Sequence, residues 1–183
     1  MNSKWNISPG FCFLWAVCLL LLPLRWAMGA MFAALVHESA HYLSVTLLGG
    51  HVCGMTLGGN GAVMETLPMP SGKEALCALG GPLGSFSLLL AAEHFPEAAG
   101  CGVGQGLYNL IPVFPLDGGR IMRCLFSERI CRIIEIVVIA LFFGISLWIT
   151  IFCCKFALLF FVMTLFPMIR GKFTCKDAGT AVQ

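Results

Sequence analysis

Five apolar runs set the layout of the chain: Phe11 to Leu24, Ala27 to Leu48, Ala75 to Ala92, a glycine-rich run from Ala98 to Val113, and a long one from Ile133 to Ile169. A helix needs about 20 apolar residues to cross bilayer hydrocarbon. The first four runs therefore read as one span each, and the fifth is too long for one. Divided near Cys153 to Lys155 it gives two, although neither Gly nor Pro marks a turn there. Residues His51 to Thr66 read instead as two short strands around Gly58-Gly59-Asn60-Gly61. The pattern predicts an all-α membrane protein of about six transmembrane helices, with a small β-hairpin between the second and third spans. One polytopic domain, 1–183, is expected, because no segment is polar enough to form a second.

Composition supports the membrane setting. The 183 residues are 58% hydrophobic and 11% charged, where a soluble domain carries about 25% charged residues. The formal net charge of +2 gives no reason to expect a nucleic-acid partner. Charge placement gives an orientation, since cytosolic loops hold an excess of Lys and Arg. With the amino terminus inside, Lys4, Lys73, Arg120, Arg123, Arg129, Arg132, Arg170, Lys172 and Lys176 are inside, and only Arg25 and Lys155 outside. Six spans with both termini cytosolic follow. A cleaved signal peptide ending at Ala27 to Ala30, "AMGA", is the competing reading, with Lys4 as its only n-region charge. The ten cysteines scatter through apolar runs without a CxxC pair and read as small buried hydrophobes.

Within this apolar background, "HESAH" at residues 37 to 41 stands out. His37 and His41 lie one helical turn apart on the same face, so both imidazoles can reach one metal ion. Glu38 is adjacent and can reach a metal-bound water without ligating the metal. Ionisable groups in mid-membrane are expensive and default to function.

Catalytic zinc usually has three protein ligands and an open position. Most of the nine acidic residues have ordinary explanations. Glu93 and Glu97 flank a loop, Glu128 sits among arginines, Glu135 can pair with Arg132 at helical spacing, and Asp177 lies in a polar tail. Asp117 differs. It stands in "NLIPVFPLDGGR", residues 109 to 120, where Pro112 and Pro115 stop a helix and Gly118 and Gly119 permit a tight turn. Irregular backbone at membrane depth is tolerated only when buried in protein or lining a wet cavity. His41 lies about seven residues, ~10 Å, from the inner end of its helix, near where this loop should re-enter, so the two motifs can meet.

At these residues the chain resembles the site-2 protease family of intramembrane zinc metalloproteases. The resemblance is carried by His37-Glu38-Ser39-Ala40-His41 and by Asn109, Pro112, Pro115, Leu116, Asp117, Gly118 and Gly119, with "LGGPLG" at Leu79 to Gly84 as weaker support. It covers a catalytic core of about residues 27 to 125. The compact size without a PDZ insertion looks like the sporulation-type branch. The cytosolic CBS domain of many such relatives is not expected in the stretch after Ile169.

The resemblance implies that His37, His41 and Asp117 bind one zinc ion per chain and that Glu38 activates water. Asn109 would hold the substrate backbone or the developing oxyanion, against a plain reading as a helix-ending cap. The hairpin would pair with an extended substrate by strand addition, or serve only as a connection. The expected function is an intramembrane zinc endopeptidase of the bacterial cytoplasmic membrane, cutting near the cytosolic leaflet and, by likeness to the sporulation-type branch, releasing a transcription-factor precursor. Its expected partners are a transmembrane or membrane-associated protein substrate and the lipid bilayer, with room for an inhibitory membrane partner. A non-proteolytic zinc-binding scaffold and a metal-ion carrier are the alternatives. A carrier should line several spans with ionisable groups, whereas here they converge on one site.

Overall fold

The computed structural model describes residues 4–58 and 61–153. The expected sixth span, beyond Lys155, lies outside the described residues. The elements in chain order are β1 (Lys4–Ile7), α1 (Pro9–Leu21), α2 (Leu24–Leu47), β2 (Val52–Gly58), β3 (Gly61–Thr66), α3 (Ser71–Ser87), α4 (Pro96–Asn109), α5 (Asp117–Leu125) and α6 (Glu128–Cys153), with a 3-10 turn at Leu88–Ala91 prolonging α3. The protein is mostly helical, as expected: α1, α2, α3 with its 3-10 turn and α4 overlie the first four apolar runs within a few residues, and α6 overlies the fifth as far as Cys153. α5 falls between two apolar runs, and among the described residues only Ser71–Ala91 and Glu128–Trp148 are, by length and composition, apolar enough to cross a membrane.

Proline sets several boundaries. Pro9 and Pro96 stand in the first turns of α1 and α4, where a missing N–H costs nothing. Leu22, just before Pro23, is extended, so the first apolar run ends in helix at Leu21 and α2 starts afresh at Leu24. The fourth run also stops early. Pro112 cannot donate to the helical ladder and disfavours helical geometry at Ile111, so α4 ends at Asn109 and not at Val113.

The expected hairpin is part of a three-stranded sheet in the order β1-β2-β3. β2 and β3 are antiparallel, with Gly58 opposite Gly61, and β1 pairs parallel to β2 from Lys4 opposite Gly54 to Ile7 opposite Leu57. Sequence pattern found the hairpin because a local turn signals it. It missed β1, a four-residue strand whose partner comes after two helices and whose parallel pairing has no turn to announce it.

Packing follows residue size more than polarity. The buried hydrophobic residues are mostly small, including Ala27, Ala33, Ala78, Ala98, Ala99 and Cys77. Many large ones face outward: Leu90 is 93% exposed, and Ile133, Ile136, Leu141 and Trp148 of α6 are all more than half exposed. Small residues allow close helix approach where lipid removes the usual hydrophobic drive. On α2 the buried face is a four-residue ladder, Gly29, Ala33, His37, His41 and Val45. This ridge meets α3 and α4, and the two histidines occupy places in it that packing would give to small apolar residues.

Candidate metal centre

The second and fifth helices bring the two sequence motifs together. His37, His41 and Asp117 are 3%, 8% and 6% exposed. Asp117 is the first residue of α5, a favourable place for a carboxylate beside unpaired helix N–H groups. Gly118 and Gly119 do not form the expected turn. They lie in the first turn of α5, where a side chain would strike the backbone of Leu110 and Val113. Their role is close approach, which lets the loop after α4 fold back over the start of α5.

That loop is partly buried, with Pro115 exposed. Val113 and Leu116 are buried, and the Phe114–Pro115 bond is cis. The Phe114 N–H donates to Glu135 Oε1 of α6 at 3.1 Å, and Arg123 lies over the Phe114 ring at 4.1 Å from its centroid. Glu135 also takes an ion pair from Arg123 at 3.4 Å. The expected partner, Arg132, is replaced by one from another helix, because Glu135 faces α5 and the loop.

The candidate donor atoms form a small triangle. Asp117 Oδ2 is 3.2 Å from His37 Nε2 and 3.1 Å from His41 Nε2, and the two Nε2 atoms are 3.2 Å apart. Protons decide what this triangle can be. His41 Nδ1 lies 2.8 Å from the Cys77 carbonyl oxygen, which can only accept. Nδ1 therefore carries the proton in a neutral ring, and Nε2 presents a lone pair. His37 Nδ1 has its own partner, Ser85 Oγ, at 2.8 Å. When His37 Nδ1 likewise donates to Ser85 Oγ, two nitrogen lone pairs and a carboxylate oxygen face one another. A cation between them resolves that repulsion. Atoms sharing a tetrahedral zinc at about 2.0 Å lie roughly 3.3 Å apart, close to the edges seen here. The donor set and its spacing thus fit one metal ion.

Glu38 follows His37 on α2 but lies outside the buried ladder. It is half-buried, and no hydrogen bond holds it among the described residues. Asn109 closes α4, where its Nδ2 donates to the Gln105 carbonyl at 3.1 Å. Arg120 stands 3.8 Å from Asp117 Oδ1, the oxygen turned away from the histidines.

Sequence reasoning missed the wall supplied by α3. Cys77, Gly81 and Ser85 recur every fourth residue on one face, opposite His41 and His37. A Cβ at Gly81 would meet Nε2 of both histidines. The clue was present: a small or polar residue at every fourth position in a leucine-rich span. Pro82, inside α3, has no N–H for the carbonyl of Ala78 and disturbs the ladder at the turn where the Cys77 carbonyl reaches His41.

No protein-family model matches the chain. It is 28% identical over 129 residues to a zinc metalloprotease of Methanocaldococcus jannaschii, covering 63% of this chain and 36% of that protein. The chain thus spans about a third of that relative's length. Its fold is similar to the solved structure of a site-2 protease from Methanocaldococcus jannaschii, with a TM-score of 0.66 over 93% of this chain and 92% of the other, at 18% identity. Shared fold, sequence relation and the meeting of "HESAH" with Asp117 point the same way: the chain is similar in sequence to a zinc metalloprotease and has the fold of a site-2 protease.

Proposed function

We propose that the protein is a zinc endopeptidase that hydrolyses a peptide bond in a transmembrane or membrane-associated protein. One observation carries this reading: three lone-pair donors, from His37, His41 and Asp117, converge beside the half-buried carboxylate of Glu38. Two histidines and a carboxylate are a donor set of catalytic zinc sites, and the relative from Methanocaldococcus jannaschii is named for that metal. One zinc ion per chain held by His37, His41 and Asp117 would supply Lewis acidity, acidifying water and polarising the scissile carbonyl.

The chain's own groups do the rest. Glu38 takes a proton from the attacking water and returns it to the leaving amine. Asn109 spends one amide hydrogen on Gln105 and keeps the other, with its carbonyl oxygen, for the substrate backbone or developing oxyanion. The edge of β2 is covered by β1, so the outer edge of β3 is where an extended substrate adds a strand. These roles fall within the proposed catalytic core, about 27–125.

The test is cleavage of a single-span substrate by the purified chain in vesicles. Activity should vanish on chelation and return with added zinc. Substrates with Gly, Pro or Asn near the cytosolic end should be cut faster than an all-Leu helix, because less hydrogen bonding must be broken. Equal rates on both would remove unwinding from the account. Zinc-loaded protein that cuts no helix would favour the scaffold.

The reading extends to a multi-pass protein of the bacterial cytoplasmic membrane that cuts near the cytosolic leaflet and frees a transcription-factor precursor, as in the sporulation-type branch, under an inhibitory membrane partner. Its topological part rests on the excess of Lys and Arg in the segments assigned inside. A reporter fused after Gln183 should signal the cytosol and one inserted near Pro96 the outside. The reverse pattern overturns the orientation.

A further inference from the structure

We infer that Ser85 is a positioning residue for the metal centre, holding the His37 ring so that its Nε2 lone pair faces His41 and Asp117. The inference rests on the zinc reading above. Ser85 is fully buried, at 0% exposure, and its Oγ lies 2.8 Å from His37 Nδ1. A hydroxyl so far from water needs a partner, and His37 supplies it. The ring has a matching need. For Nε2 to present a lone pair in neutral imidazole, Nδ1 must carry the proton and find an acceptor. Ser85 Oγ is that acceptor.

The two histidines are held alike. His41 Nδ1 donates to the Cys77 carbonyl at 2.8 Å, and Cys77 and Ser85 stand eight residues apart on the same face of α3. One helix therefore sets tautomer and direction for both rings. The contact to His41 comes from backbone and survives most substitutions at Cys77. The contact to His37 comes from a side chain, so it is the one that the residue at this position controls. Partners of this kind orient metal-binding imidazoles and raise their basicity, and losing one costs about 10- to 100-fold in metal affinity.

The experiment is a double-mutant cycle read by zinc titration of the purified full chain, in detergent, against a competing chelator. Ser85→Ala should weaken zinc binding about 10- to 100-fold while the metal-free chain stays folded. Because Ser85 acts through His37, its substitution should have no further effect on zinc binding in the His37→Ala background. Unaltered affinity in Ser85→Ala overturns the inference. So does an equal loss in both backgrounds, which would mean that Ser85 supports the helix packing in general. Should Ser85→Ala fail to fold, Ser85→Cys, of similar size and with a weaker acceptor, is read through the same cycle. Undiminished zinc binding in His37→Ala alone is a different outcome: it overturns the zinc reading itself.

Discussion

Replacing Glu38 by Gln should leave about one zinc ion per chain and remove nearly all hydrolysis. The carboxylate is one residue from His37 yet outside the donor triangle, so the amide changes proton transfer without removing a donor. General-base groups contribute roughly 100- to 10,000-fold in rate, and a loss of that size is expected here. Asp117→Ala should behave differently. It removes a corner of the triangle, leaves two histidine lone pairs 3.2 Å apart, and should lower zinc content and cleavage together. Metal analysis beside a cleavage assay separates the cases. Full activity in Glu38→Gln would defeat the proposed base, and normal zinc in Asp117→Ala would mean that the third donor lies elsewhere.

The sequence disclosed the donors better than the structure that holds them. His37 and His41 were legible because four-residue spacing on a helix is a local rule, and Asp117 because prolines and glycines mark irregular backbone. The meeting of the motifs, about eighty residues apart, could be argued only from depth in the membrane. The parts missed depend on tertiary contact. Ser85 and Gly81 look like ordinary members of a small-residue span until α3 lies on α2. Glu135 has a suitable arginine three residues before it, and only the fold reveals that it holds the Phe114 N–H and pairs with Arg123. Short elements were lost for the same reason. β1 is too brief to read and owes its existence to β2, while α5 carries two glycines, poor helix formers, in its first turn and forms where they fit under the loop from α4.

Gly81→Ala should empty the metal centre as thoroughly as loss of a donor, though it adds only a methyl group. By intrinsic propensity the change favours the helix, since Ala exceeds Gly by about 1 kcal/mol. Packing opposes it: the new Cβ would overlap His41 Nε2 and lie 2.7 Å from His37 Nε2. A flexible side chain could swing away, but these rings are tied through Nδ1 to Ser85 and Cys77. Relief therefore means turning an imidazole out of the triangle or pushing α3 away from α2, and either disperses the donors. Gly72→Ala is the control, because that glycine lies in the first turn of α3 with nothing within 4 Å of its added Cβ. The expected result is a helical Gly81→Ala chain with little zinc and no cleavage, beside a Gly72→Ala chain with normal zinc and normal cleavage. A Gly81→Ala protein holding one zinc and cutting at the normal rate would show that α3 does not form the wall of the site.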